Sequence, residues 1–114
     1  MQGSILRFYV HEGDRCGSRL LWEWLLEQAK GLGIRGGSVF RAMAGFGRQH
    51  VLHERKFFEL AGSQVLNVEF VVSDAEAAQL LALAHREKLR LFYARVPVQF
   101  GVVDPAASQP PDLN

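Results

Sequence analysis

The sequence predicts an α+β fold of the ferredoxin-like class, in which two helices cover one face of a four-stranded antiparallel sheet. Three observations predict it. The chain contains four runs that alternate apolar and polar residues with the period of strands. Two amphipathic segments separate the runs so that the order is β-α-β-β-α-β. Pro97 lies in the fourth run and indicates an edge strand, because proline cannot donate to a ladder.

The first strand and the first helix follow each other closely. The strand is predicted over residues 5–10, with Leu6 and Phe8 on its apolar side. Glycines then break the pattern, and Ser18 is predicted to cap a helix that runs to about residue 30. The two glycines that follow at once are stop signals of the C-cap kind.

The second strand is predicted over residues 38–46 and leads into a long segment over residues 47–64. This segment mixes arginine, lysine and histidine with bulky apolar residues, so no single period identifies its structure. Loops of such length are uncommon in compact domains, and many of them are functional. We therefore treat the segment as a candidate functional loop, part of which can be helical or extended.

The second half of the chain repeats the pattern of strand, helix and strand. The third strand is predicted over residues 65–72. Ser73 and Glu76 have the spacing of a capping box, so a helix starts there and runs to about residue 88. The fourth strand is predicted over residues 91–102.

A single domain with one core is expected for a chain of 114 residues. The tail over residues 104–114 is rich in proline, alanine and serine, and we expect it to be disordered. The folded domain is therefore predicted to cover residues 1–103.

Both helices are expected on one face of the sheet, which leaves the other face open. The predicted alternation places these residues on the open face: Ile5, Arg7, Tyr9, Val39, Arg41, Met43, Asn67, Glu69, Val71, Tyr93 and Arg95. Because this face is partly apolar and aromatic, we expect copies of the chain to associate through it, with one of its arginines pairing with Glu69. The alternative is a solvated face with single exposed apolar residues.

Composition and charge exclude several classes of function. The formal net charge is +1, so global electrostatics give no reason to expect nucleic acid or a membrane surface as a partner. Cys16 is the only cysteine, which excludes an intrachain disulfide and a thiolate zinc cluster. No apolar run is long enough for a membrane span, and the N-terminus lacks the pattern of a signal peptide. We expect a soluble cytoplasmic protein.

The run Gly-Phe-Gly-Arg-Gln over residues 45–49 carries the main ligand-binding prediction. Gly45 and Gly47 allow the backbone to approach a ligand closely, and successive N–H groups in such a turn can form an anion-binding nest. Arg48 adds a planar fork of five N–H donors. The alternative is a bulge or turn that binds no ligand.

We predict no catalytic residues and no metal site, and therefore no enzyme. Paired carboxylates and a Ser-His-Asp set are absent from the sequence pattern. His50 and His53 lie three residues apart, which suits a metal in a helix, but no third ligand accompanies them. Cys16 has no base and orienting group beside it in the sequence.

The topology, together with the run at residues 45–49, resembles the PII signal-transduction superfamily, in which this run closes the second strand and enters the T-loop. The whole pattern resembles more closely a PII-like group, the uncharacterised-domain family 190. The resemblance covers about residues 5–103. These features carry it: Glu-Gly-Asp-Arg at 12–15, Gly-Ser-Val-Phe-Arg at 37–41, Gly-Phe-Gly at 45–47, and His53.

The resemblance implies a homotrimer whose sheets face inward and whose lateral clefts bind a small anionic effector such as an adenine nucleotide. Carried over by position, the ligand-binding residues are Gly47, Arg48 and Gln49, and Gly45 joins them as a candidate from the glycine-rich turn. Lys88 and Arg90 can add positive charge from the turn before the fourth strand, although that turn lacks the glycines of PII proteins.

The long loop is the implied contact with a partner protein, for example a membrane transporter. Its candidate contact residues are His50, His53, Arg55 and Lys56. No tyrosine occurs between residues 48 and 64, so the tyrosine modification of some PII T-loops is not available. The alternative function is a trimeric interaction module that binds no small molecule.

Overall fold

The computed structural model describes residues 1–45 and 64–111. In these two ranges the elements are, in chain order, β1 (Gln2–His11), β2 (Arg15–Cys16), β3 (Arg19–Leu20), α1 (Leu21–Gly31), β4 (Gly37–Arg41), β5 (Val65–Val72), α2 (Asp74–Arg86) and β6 (Phe92–Gln99). Four strands form one antiparallel sheet in the order β4-β5-β1-β6, and β2 pairs with β3 in a short hairpin. This arrangement confirms the predicted ferredoxin-like, PII-like fold.

The core lies between the helices and one face of the sheet. The central strands β1 and β5 alternate fully buried and half-buried residues, as their sequences predict. Phe8 and Phe70 are the largest fully buried side chains, and they meet edge to face. The buried apolar set is Leu6, Phe8, Val10, Leu21, Trp24, Leu25, Ala29, Ile34, Leu66, Val68, Phe70, Val72, Ala77, Leu80 and Ala84.

The observed bounds of the strands differ from the predicted ones. β1 is longer than predicted, because its first residues pair with β6 as far as Gln2 and Gln99. β6 stops at Gln99 instead of continuing to 102, although Phe100 N–H still donates to the Met1 carbonyl at 2.9 Å. β4 leaves the ladder after Arg41, where β5 begins. β6 pairs only with β1 and is an edge strand, as Pro97 predicts.

The first helix does not begin at the predicted cap. Ser18 belongs to the turn of the β2–β3 hairpin, which Gly17 closes with a φ of +63°. α1 begins at Leu21, and its N-cap residue, Leu20, makes no capping hydrogen bond through its side chain. Instead the backbone N–H of Leu21 donates to the carbonyl of Asp14 at 2.7 Å. The hairpin therefore replaces the predicted cap.

The capping box of the second helix is confirmed. The backbone N–H of Glu76 donates to Ser73 Oγ at 3.2 Å, and that of Ser73 donates to Glu76 Oε1 at 2.9 Å. The two bonds satisfy donors that a helix N-terminus otherwise leaves without partners.

Replacing Ser73 by alanine should lower the free energy of unfolding by about 1 kcal/mol, because one of these bonds is lost. Urea denaturation measures the effect. Ser18→Ala is the matched control and should change the free energy by less than about 0.5 kcal/mol, since the Ser18 side chain caps no helix. Equal losses in the two variants would contradict the prediction.

Side chains of the two edge strands point opposite to the prediction. In the observed register Val39 lies opposite Val68 and Arg41 opposite Leu66, so both face the helices, and Phe40 faces away. The physical reason is Gly37: a Cβ there would stand 2.4 Å from the ring of Phe70. Only glycine fits over that ring, which fixes the register of β4.

On β6, Tyr93 and Arg95 face the helices, which corrects their predicted place on the open face. Tyr93 pairs with Phe8, and their ring centroids are 6.4 Å apart. Arg95 donates from Nε to Ser4 Oγ at 3.1 Å and from NH2 to Asp74 Oδ1, also at 3.1 Å. These contacts lie on the helix side and hold the strand in this register.

The open face is consequently more apolar than predicted. The register gives it these apolar residues: Ile5, Tyr9, Phe40, Val65, Val71, Phe92, Ala94, Val96 and Val98. Arg7 and Glu69 lie among them and pair within one chain, with Nε and Oε2 2.5 Å apart, whereas the pairing expected on association of copies stays a prediction. Hydrogen bonds to Tyr9 and to Glu69 raise the pKa of Arg7. A fixed ion pair thus stands within an apolar surface.

Candidate functional site

One end of the sheet gathers the segments that sequence analysis connects with ligand binding. We call it the loop end: β1 and β4 end there, and β5 and β6 begin there, as the pairs His11–Val65 and Tyr9–Phe92 show. Neither α1 nor α2, the helices of the described residues, is long and apolar enough to cross a bilayer.

Arg41 joins three strand ends at the loop end. Its NH1 donates to Glu12 Oε1 at 2.7 Å, and its NH2 donates to Glu12 Oε2 at 3.2 Å. NH1 also donates to Gln64 Oε1 at 3.2 Å. Two backbone bonds support this cluster, from Glu12 N–H to the Gln64 carbonyl and from Ala42 N–H to the Val65 carbonyl. The cluster therefore holds together the two chain ends that flank residues 46–63.

Electrostatics favour the charged form of both partners. The hydrogen bond from Arg41, followed by its positive charge, holds the pKa of Glu12 below the ordinary value, although desolvation opposes this. The same pair raises the pKa of Arg41. Both side chains are well exposed, at 54% for Arg41 and 38% for Glu12, so water and salt screen the attraction.

A groove of about 190 Å³ lies beside this ion pair. Its apolar walls are Trp22 of α1, Val39 of β4 and Leu66 of β5, and Glu12 and Arg41 complete the lining. Trp22 and Val39 are half-buried, so part of each remains open to solvent. An arginine next to an indole and aliphatic surface is suited to a ligand that is apolar at one end and anionic at the other.

Lys88 and Arg90 also lie at the loop end, in the turn between α2 and β6. Lys88 has a φ of +60°, the left-handed conformation that glycine usually takes at a helix C-terminus. Its N–H donates to the His85 carbonyl, and Leu89 N–H donates to that of Ala84, which is a Schellman motif. The turn thus has a backbone conformation typical of glycine, and the cationic side chains of Lys88 and Arg90 are exposed.

Gly45 is the last described residue before the gap, and it is exposed. A Cβ there would meet no atom within 4 Å among the described residues. The other predicted ligand residues, Gly47, Arg48 and Gln49, and the predicted partner contacts, His50, His53, Arg55 and Lys56, lie outside the described residues. Their roles stay predictions.

Cys16 packs against the core from the β2–β3 hairpin. Burial, and secondly the charge of Glu87, raise the pKa of its thiol above the usual value. The thiol is therefore protonated at neutral pH and is not an activated nucleophile. Across residues 1–45 and 64–111 no cluster of three or more His, Cys, Asp or Glu side chains could hold a metal ion.

Sequence reasoning missed the Glu12–Arg41 pair and a further groove among the described residues. That groove lies at the opposite end of the sheet, where Arg95 reaches Ser4 and Asp74. Both errors have one cause, the misassigned faces of β4 and β6. The only signal for the first pair was that Glu12 and Arg41 each lie at the end of a strand.

Known proteins resemble this chain over most of its length. Residues 3–87 match the sequence profile of DUF190, a PII-like family described as "Uncharacterized ACR". The UPF0166 protein of Aquifex aeolicus (strain VF5) is 31% identical over 78 residues, which are 68% of this chain and 74% of that protein. The match spans well over half of the chain and agrees with the fold. The chain belongs to the PII-like DUF190 family.

Proposed function

We propose that this protein is a cytoplasmic PII-like regulator without catalytic activity. It binds a small anionic effector, an adenine nucleotide, in clefts between the subunits of a homotrimer. The segment over residues 47–64 then transmits the bound state to a partner protein, such as a membrane transporter. The proposed anion contacts are Gly45, Gly47, Arg48 and Gln49 from one subunit and Lys88 and Arg90 from its neighbour.

One observation supports this proposal: Gly45 and the pair Lys88 and Arg90 share the loop end but lie at opposite edges of the sheet. Gly45 follows β4, Lys88 and Arg90 precede β6, and β5 and β1 lie between. Three strand spacings separate the edges, roughly 14 Å. That separation favours a cleft between two subunits with neighbouring edges over a site within one subunit.

The open face of the sheet supports the trimeric part of the proposal. Four of its side chains remain at least two-fifths exposed: Phe40, Val71, Phe92 and Val96. Monomeric soluble proteins rarely expose a contiguous apolar surface of this kind, and association of copies buries it. The same surface also favours the alternative, a trimeric interaction module that needs no small molecule.

A thermal-shift panel of adenine and guanine nucleotides, cyclic forms included, tests the proposal. A ligand at about 100 times its dissociation constant should stabilise the protein by about 2.7 kcal/mol, a shift of several degrees for a domain of this size. We expect Arg48→Ala to abolish the shift, because it removes the guanidinium at the proposed nest.

Arg35→Ala is the control, since Arg35 is exposed and precedes β4 at the far end of the sheet. It should keep the wild-type shift. The absence of a shift with every nucleotide, from a folded sample, would overturn effector binding and favour the interaction module. A shift that Arg48→Ala retains would place the ligand elsewhere.

A further inference from the structure

We propose that Arg41 is an additional ligand-binding residue, and that Glu12 occupies its guanidinium as an internal substitute for a phosphate oxyanion. A phosphate of the effector would exchange with the Glu12 carboxylate. The inference rests on the proposed function, because it names a further contact of the same anionic effector at the loop end.

The geometry of the ion pair supports the substitution. The two carboxylate oxygens of Glu12 accept from two different nitrogens of Arg41, at 2.7 and 3.2 Å. Arginine binds phosphate through the same two-pronged arrangement, in which parallel N–H donors meet two oxygens. An oxyanion that replaced the carboxylate would therefore find the donors already oriented.

The Arg41 guanidinium stays in place when the Glu12 carboxylate moves away. Gln64 Oε1 accepts from NH1 at 3.2 Å and continues to hold the guanidinium. The backbone of Glu12 is fixed separately, through its N–H bond to the Gln64 carbonyl at 2.8 Å. The exchange thus requires only a rotation of the Glu12 side chain and no change in the strands.

Because the Glu12–Arg41 pair is exposed, exchange of the carboxylate for a phosphate costs little free energy. Arg41 is 54% exposed and Glu12 38%, and exposed ion pairs are weak because water competes for both partners. A nucleotide phosphate chain carries more negative charge than one carboxylate. The adjacent groove, with Trp22, Val39 and Leu66 as walls, offers apolar contact for the rest of such a ligand.

Isothermal titration calorimetry with ATP and with inorganic tripolyphosphate tests the inference on four forms of the full chain: wild type, Glu12→Gln, Glu27→Gln and Arg41→Gln. Glu12→Gln should bind about two- to fivefold more tightly, because the competing charge is removed from an exposed pair. Arg41→Gln should bind at least about tenfold more weakly, because charge-assisted hydrogen bonds are lost.

Glu27→Gln is the matched control, since Glu27 of α1 forms a similarly exposed ion pair with Arg19 of β3 and undergoes the same change in charge. It should bind as the wild type does. Tripolyphosphate carries no adenine base, so its binding reports the phosphate contact alone.

The outcomes separate this inference from the proposed function. Wild-type binding that neither Glu12→Gln nor Arg41→Gln alters would overturn the inference and leave the proposed function intact. Binding that appears only in Glu12→Gln would support the inference. Equal tightening in Glu12→Gln and Glu27→Gln would reduce the effect to net charge and overturn it. No binding of ATP or tripolyphosphate by any form would overturn the inference, and the nucleotide panel would then decide the proposed function.

Discussion

Replacing Phe8 by alanine should lower the free energy of unfolding by about 3–5 kcal/mol. Phe8 lies in the central strand β1, is fully buried, and packs edge to face against Phe70 with ring centroids 6.4 Å apart. Tyr93 of the edge strand contacts the same ring. Alanine would leave a cavity between the sheet and the helices that the packed neighbours can fill only in part.

Urea denaturation at one fixed protein concentration measures this loss, because the stability of an assembled protein depends on concentration. Phe8→Leu is the graded control and should lose much less, since leucine retains most of the buried volume. A loss below about 1 kcal/mol for Phe8→Ala would contradict the core described for Phe8.

Replacing Val71 by aspartate should convert the proposed trimer into a monomer. Val71 lies opposite Ile5, which lies opposite Val96, so the three side chains form an apolar row across β5, β1 and β6 on the open face. Val71 is 46% exposed in the single chain. A carboxylate buried there between subunits would lack a partner, and an unpaired buried charge strongly opposes association.

Size-exclusion chromatography with light scattering gives the mass of the variant, and circular dichroism checks that it is folded. Val103→Asp is the matched control, because Val103 is 79% exposed and follows the sheet. It should leave the mass unchanged. A trimeric Val71→Asp, or a monomeric wild type at micromolar concentration, would show that the sheet face is not the interface.

The central part of the fold could be predicted because local patterns specify it. β1 and β5 are flanked by strands on both sides, so every second residue is buried from Ser4 to Val10 and from Leu66 to Val72, and the capping box at Ser73 is a local signal. In β4 and β6, adjacent residues such as Val39 and Phe40, or Phe92 and Tyr93, are both apolar or aromatic. The sequence therefore agrees with either assignment of alternate residues to the two faces of the sheet.

Tertiary contacts decide which residues of β4 and β6 face the helices. Gly37 must lie over the ring of Phe70, and Arg95 must reach Ser4 and Asp74. The site shows the same limit: Glu12 and Arg41 are 29 residues apart and meet only because β1 and β4 end at the same level of the sheet. No periodic pattern in the sequence indicates that Glu12 and Arg41 meet.

The bonds at the loop end suit the chain to insertions between β4 and β5. β4 and β5 are adjacent and antiparallel in the sheet, and the chain between Ala42 and Gln64 connects them. Arg41 with Gln64, and Ala42 with Val65, close that connection from within the domain. For a flexible connection each doubling in length adds only about 0.6 kcal/mol of closure entropy. We therefore expect that a reporter peptide inserted between Ala42 and Gln64 leaves the sheet unchanged.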